Sequence, residues 1–261
     1  LMTEITESSI RSRLLRLIYT MKPDAIVSTH PNYVRSILNV LEESKIDIPL
    51  YTVLADPVTI SPLWADSRAY YTLCPTQESK EACLALGVPE EKLPVFGFPV
   101  RKRFTAHLDT VQAAEDYNSS RPLKCTIMSG GEGSGNMGRI AKILAKNFDC
   151  KIRIVCGRNQ MLQRRLKRTL QGKYKHQIEI LGFTDNIEKI MLDSDILFTR
   201  ASPNTMLEAV MCNVPLIITG ALPGQEQGNP AFAEKHNLGV VCNSLQDIKH
   251  IIQDLLANDA A

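Results

Sequence analysis

Apolar residues in the first stretch of the chain recur at helical spacing: Ile10, Leu14, Leu17, Ile18 and Met21 share one face of ESSIRSRLLRLIYTM, residues 7–21. Pro23-Asp24 breaks that pattern, and AIVS follows as a short run suited to a buried strand. His30-Pro31 turns the chain into YVRSILNVLEES, again amphipathic with a helical period. PLYTVLAD reads as a strand ending at Asp56, and residues 57–68, with Pro57, Pro62 and the only tryptophan, Trp64, read as a loop. AYYTLC is the next strand, QESKEACLALG a helix closed by Gly87, and PVFGFPV a last extended piece. Strand alternating with helix predicts a parallel α/β sheet.

Residues 102–122 change character. Polar and charged residues dominate, and Asn118-Ser119-Ser120-Arg121-Pro122 is rich in turn formers without an apolar period. The division expected is therefore a first half over 1–104, a linker over 105–122 and a second half over 123–261. The pattern then restarts: KCTIM, a glycine-rich turn, the amphipathic IAKILAKNF, KIRIVC, a basic helix, QIEIL, a helix around 185–193, and DILFT. Ser202-Pro203 is a helix start, with Ser able to cap and Pro suited to the first helical position. TMLEAVMC continues that helix, Asn213 suits the left-handed position that ends it, and VPLIIT is the next buried strand. Six strand candidates lie between Cys125 and Cys242. The first half offers about five and opens on a helix, whereas a complete open sheet of this kind opens on a strand and its phosphate-binding turn. Both halves read as doubly wound, Rossmann-type sheets, the first lacking its opening βαβ units. A start at Leu1 rather than Met fits a piece of a longer protein.

Composition narrows the picture without redirecting it. With 44% hydrophobic and 22% charged residues the chain is globular, and a formal charge of +2 gives no reason to expect a nucleic-acid partner. No apolar run has the length of a transmembrane helix, and the start carries no signal-peptide pattern. The seven cysteines form no C-x-x-C pair, so buried free thiols in a reducing compartment are expected rather than a disulfide or zinc framework.

Candidate chemistry gathers at strand ends, where open α/β sheets bind ligands. SGGEGSG, from Ser129 to Gly135 and including Gly130 and Gly131, follows a strand and precedes a helix; it suits a phosphate or a plain turn. CGRNQ places Gly157 and Arg158 at the next strand end. GFTDNI follows, with Phe183 able to cover a planar base beside Thr184, and with Asp185 suited to cap the next helix. Glu208 lies on one helix face with Thr205, three residues earlier; it suits ribose hydroxyls or simple solvation. PGQEQGN carries Gln225, Glu226 and Asn229, residue types that bond sugar hydroxyls and that also populate ordinary polar loops. Asp56 suits a catalytic base, an acceptor-binding acid or a turn before Pro57, and His30 a turn. The basic residues Arg164, Arg165, Lys167 and Arg168, and the run Arg101-Lys102-Arg103, suit anionic lipid headgroups or solvated faces.

Taken in order, GGEGSG, CGRN, GFTDNI, the helix with Glu208, and PGQEQGN resemble the glycosyltransferases of family 28. The likeness spans about residues 10–257. TVLAD with Trp64 eight residues on, together with GFPVRKRF, makes it strongest to the monogalactosyl- and glucosyl-diacylglycerol synthases; it is more distant to the UDP-GlcNAc transferase that forms lipid II. The resemblance implies a two-domain GT-B architecture with its active site in the interdomain cleft. It implies inverting transfer of a hexose from UDP-galactose or UDP-glucose to diacylglycerol or another lipid acceptor, by a cytoplasmic enzyme peripheral to the membrane, with neither metal nor cofactor. By that likeness Gly130, Gly131 and Arg101 lie near the diphosphate, Phe183 and Thr184 at the uracil, and Glu208 at the ribose. Gln225, Glu226 and Asn229 take the sugar, and Trp64 lies on the acceptor side. Arg101 or Arg200 helps the departing UDP. The family's K-A-G-P-G-T turn reads Arg200-Ala-Ser-Pro-Asn-Thr205 here, so Ser202 and Asn204 bring side chains where relatives have glycines. The family's N-terminal glycine-rich loop and its histidine have no counterpart, which leaves Asp56 as the candidate base. Two other readings are a non-catalytic sugar-nucleotide-binding module completed by a partner chain, and a UDP-GlcNAc-using transferase or epimerase of the same architecture.

Overall fold

A computed structural model describes residues 2–106, 108, 121–129 and 136–257. Gly130, Gly131 and most of the expected linker lie outside them. The chain divides into two compact units, Leu1–Pro99 and Val100–Ala261.

The first unit holds α1 (Met2–Met21), β1 (Ile26–Ser28), α2 (Val34–Glu43), β2 (Leu50–Val53), β3 (Tyr71–Leu73) and α3 (Gln77–Ala85). Its strands form a parallel sheet in the order β1-β2-β3, with Ser28 opposite Thr52 and Thr52 opposite Thr72. α1 packs on α2, and Val34, Leu38, Leu41, Leu50 and Leu54 fill the core between helices and sheet. α3 starts at a capping box between Thr76 and Ser79 and ends at Gly87, whose φ of +89° and N–H to Leu84 close the last turn. PVFGFPV does not add a strand. It contributes one parallel bridge, Val95 to Cys74, because Gly97 turns the backbone at φ +94° and Pro94 and Pro99 have no N–H to donate.

The second unit follows as β4 (Leu123–Met128), α4 (Met137–Asn147), β5 (Cys150–Val155), α5 (Gln160–Tyr174), β6 (Ile178–Leu181) and α6 (Ile187–Leu192). It continues with β7 (Ile196–Thr199), α7 (Pro203–Met211), β8 (Leu216–Ile218), α8 (Asn229–Lys235), β9 (Val240–Val241) and α9 (Ile248–Ala257). The six strands are all parallel in the order β6-β5-β4-β7-β8-β9, the doubly wound order. Most strand residues are apolar and buried, as a parallel sheet covered on both faces requires; the charged ones are Lys124, Lys151, Arg153 and Glu179. Alternate residues feed two cores: Cys125, Ile127, Phe198 and Ile217 meet α4, α5 and α9, while Leu197, Leu216 and Ile218 meet α6, α7 and α8. All seven cysteines are buried free thiols.

The boundary between units lies five residues before the expected one at 104. Phe104 is fully buried in the second unit, packed with Met206, Ala209 and Val214, and Val100 packs against the same cluster. A charged run that reads as solvated is therefore pinned by the one aromatic it carries. Phe104→Ala should cost the second unit about 3–5 kcal/mol. The only tryptophan lies in the first unit, so urea unfolding followed by circular dichroism should shift while the tryptophan fluorescence transition stays put; a shift in the fluorescence transition would place Phe104 with the first unit instead.

Candidate functional site

β4 and β7 are neighbours in the sheet, yet α4 leaves β4 toward one face and α7 leaves β7 toward the other. This reversal opens a crevice at their C-terminal ends. A cavity of about 230 Å³ lies there, lined by Ser129, Asn136, Met137, Arg200, Gly220 and Leu222 among others. Glu208 and Thr205 both face inward from α7.

The local sequence fixes α7 at both ends. Ser202 is the N-cap with an extended backbone, φ −72° and ψ 123°, and Pro203 occupies the first helical position, but the Ser202 hydroxyl makes no capping bond. At the other end Asn213 takes φ +52°, its N–H bonds the Val210 carbonyl at 3.0 Å, and Val214 bonds Ala209 at 3.1 Å. That pair of bonds is the Schellman closure. Between these ends Glu208 is 8% exposed. Arg101 reaches it from the segment entering the unit, donating from Nε and Nη2 to Glu208 Oε1 at 3.0 and 2.6 Å. Burial pushes the Glu208 carboxyl above its ordinary value, and the hydrogen bond and charge of Arg101 pull in the opposite direction.

Arg101 was expected at a diphosphate and Glu208 at a ribose; in this structure they bind each other. Arg103, which the sequence offers to lipid headgroups or a solvated face, instead donates to the Asp185 carbonyl at 2.7 Å and lies 3.6 Å from Glu188. Both guanidiniums stand over the Phe104 ring, at 5.0 and 5.3 Å from its centroid. The one sequence signal for this strap is the phenylalanine closing the run Arg101-Lys102-Arg103.

The remaining strand ends divide into outward and internal residues. Phe183 is 57% exposed, with the Arg158 guanidinium over its ring at 5.0 Å. Thr184 accepts the Asn186 N–H at 3.2 Å, and Asn186 rather than Asp185 is the N-cap of α6, because the Thr184 turn advances the helix start by one residue. Gln225 and Asn204 are exposed. Glu226 and Asn229 are buried braces: Glu226 accepts the Leu222 N–H at 2.9 Å and lies 3.2 Å from Arg200, and Asn229 donates to the Ala201 carbonyl at 2.9 Å. They tie the loop after β8 to the turn before α7.

In the first unit Trp64 is 1% exposed and sits in the core, so it offers no surface to an acceptor. Its indole N–H donates to Asp56 Oδ2 at 3.0 Å. The eight-residue spacing thus marks a buried brace that orients a half-buried carboxylate at a strand end. His30 caps a short 3₁₀ turn, Pro31–Tyr33, by accepting the Asn32 N–H.

A doubly wound parallel sheet with its crevice at the strand reversal, and helices on both faces, defines the second unit as a Rossmann-type unit of the GT-B class. Residues 136–256 match the family model for the glycosyltransferase family 28 C-terminal domain, and residues 2–100 match that for monogalactosyldiacylglycerol synthase. Together the two matches span most of the chain, and its second unit carries the family 28 C-terminal domain. It is 28% identical to a processive diacylglycerol beta-glucosyltransferase of Staphylococcus haemolyticus, over 94% of this chain and 62% of that protein. It is also 28% identical to the chloroplastic monogalactosyldiacylglycerol synthase 1 of Arabidopsis thaliana, over 95% of this chain and 48% of that protein. The chain thus spans less than two thirds of the length of either relative. Among solved structures, a UDP-GlcNAc 2-epimerase from Neisseria meningitidis bound to UDP-GlcNAc superposes with a TM-score of 0.68 at 17% identity, over 98% of this chain and 74% of that one. That likeness is one of fold.

Because its carboxyl is raised in the folded state, Glu208 lowers stability as pH climbs from its ordinary value of 4.5 through the folded one: over that window the folded protein binds more protons than the unfolded. Urea unfolding across the window should show this slope in the parent and a flatter one in Glu208→Gln. Equal slopes would mean that burial does not govern this carboxyl.

Proposed function

We propose that the chain acts in inverting transfer of a hexose from UDP-galactose or UDP-glucose to the free hydroxyl of diacylglycerol, making a glycolipid. The observation that carries this reading is a buried, arginine-held carboxylate on the helix after β7, beside the crevice of a family 28 C-terminal domain. The names of its diacylglycerol-glycosylating relatives support the acceptor class.

In this reading Glu208 accepts hydrogen bonds from ribose hydroxyls, and Phe183 and Thr184 stand at the base. Arg200, which lines the cavity, supplies positive charge to the diphosphate as the sugar–oxygen bond breaks. Ser202, Asn204 and Thr205 add side-chain donors at the same turn, and Gly130 and Gly131 are proposed as a further phosphate-binding turn. Arg101 contributes by holding Glu208. Gln225 is free to reach the sugar, while Glu226 and Asn229 hold the loop that carries it. Inversion needs a base that takes the acceptor proton while the oxygen attacks opposite the leaving UDP. Asp56 is assigned that role, its carboxylate oriented by the Trp64 N–H. The acceptor lies in a bilayer, so the meeting takes place at the membrane surface; no helix among the described residues is long and apolar enough to cross a membrane.

Transfer is to be assayed with each UDP-sugar in diacylglycerol micelles, alongside titration calorimetry with UDP. Glu208→Ala should weaken UDP binding by about 1–3 kcal/mol, the worth of a hydrogen bond to a charged group. Asp56→Asn should lose turnover with UDP affinity unchanged. Unaltered UDP binding in Glu208→Ala would remove that residue from the site, and turnover of UDP-GlcNAc without acceptor would favour an epimerase.

A further inference from the structure

One face of the second unit carries positive charge that its own helices do not balance. α4 exposes Arg139, Lys142 and Lys146, and α5 exposes Arg164, Arg165, Lys167 and Arg168. Neither helix contains an aspartate or glutamate, although the whole chain has a formal charge of only +2. Among the described residues, none of these seven side chains makes an ion pair.

The two helices form one surface rather than two. Ile140 and Leu144 of α4 and Leu162, Leu166 and Leu170 of α5 belong to a single core against the same side of the sheet. Gly138 lets the helices approach closely, since a Cβ there would stand 2.8 Å from Leu166 Cδ2. With their inner faces locked side by side, their outer faces make a broad basic layer. Near the start of α5, Met161 is 83% exposed. Cations over a helical face with a bare apolar side chain at its end are the chemistry of an interfacial helix.

We infer that the α4–α5 face docks onto an anionic lipid bilayer. Charge complementarity selects the partner: acidic headgroups attract clustered Lys and Arg, and the attraction falls off within a Debye length. Met161 favours lipid over nucleic acid, because it gains from the acyl boundary and offers no hydrogen bond to phosphates. Helices lying flat in a packed layer also present no projecting element to a groove. The inference deepens the membrane partner of the proposed function, but the surface is defined without it.

The test is cosedimentation of the chain with phosphatidylcholine vesicles and with vesicles also containing phosphatidylglycerol, in the absence of diacylglycerol and sugar nucleotide. Binding should require the anionic lipid and weaken with salt. The variant R164Q/R165Q/K167Q/R168Q should lose at least about tenfold in partitioning, given roughly fivefold per basic residue near such a surface. Removing three lysines elsewhere (K22Q/K45Q/K189Q) should leave partitioning close to the parent. If the α5 variant does not fold by circular dichroism, R139Q/K142Q/K146Q on α4 takes its place with the same expectation. Equal binding to neutral vesicles, undiminished binding by the variants, or capture of a DNA duplex in place of vesicles would each overturn the inference. Because no hexose transfer is read, failure here leaves the proposed reaction standing, and failure of the reaction leaves the vesicle result standing.

Discussion

A carboxylate turned inward from the middle of a helix has to find a cation or give up its charge, and Glu208 finds Arg101. Much of the second unit's entry is arranged by that pair. Arg101 arrives on a strap whose Phe104 is buried in the core under α7, and Arg103 fixes the other end of the strap to the start of α6. Two guanidiniums over one ring keep the strap in a single arrangement. The carboxyl is nonetheless raised by burial, so the pair is a poised feature and not a deep ionic anchor. A buried acid that a half-exposed arginine restrains suits recognition better than stability.

The second constraint is the sheet itself. Six parallel strands demand helices on both faces, and the reversal between β4 and β7 leaves a crevice that no helix can fill. Its rim is built by bonds between loops. Asn229 holds the Ala201 carbonyl, Glu226 holds the Leu222 N–H, and the Ala201 N–H reaches the Gly220 carbonyl at 2.7 Å. Buried polar residues in a glycine- and glutamine-rich loop thus work as scaffolding for the exposed ones beside them. Gln225, Asn204 and Phe183 are left on the outside.

What the sequence disclosed follows the range of the forces involved. The second unit's six strands, its helices as far as α7, and the left-handed Asn213 depend on local periodicity and local dihedrals, and they could be read directly; α8 and α9 were not read. Arg101 and Glu208 are 107 residues apart, and no periodic pattern pairs them. Phe104 was hidden because three charged or polar neighbours suggest solvent, while a single aromatic decides the packing. Trp64 was visible as a marker at a fixed distance from Asp56, but the pattern could not tell an exposed aromatic from a core one. PVFGFPV has the composition of a strand; two prolines and a left-handed glycine limit it to one bridge.

In the proposed function, the crevice at the β4–β7 reversal, with Glu208 behind it, receives the nucleotide. Hydrogen–deuterium exchange of the chain with and without saturating UDP tests this most directly. Protection should appear in α7 and in the strand-end segments 182–186 and 220–229, while the opposite edge of the sheet around Lys124 and Asp195 is unchanged. Protection confined to that opposite edge, or none at all in α7, would contradict it.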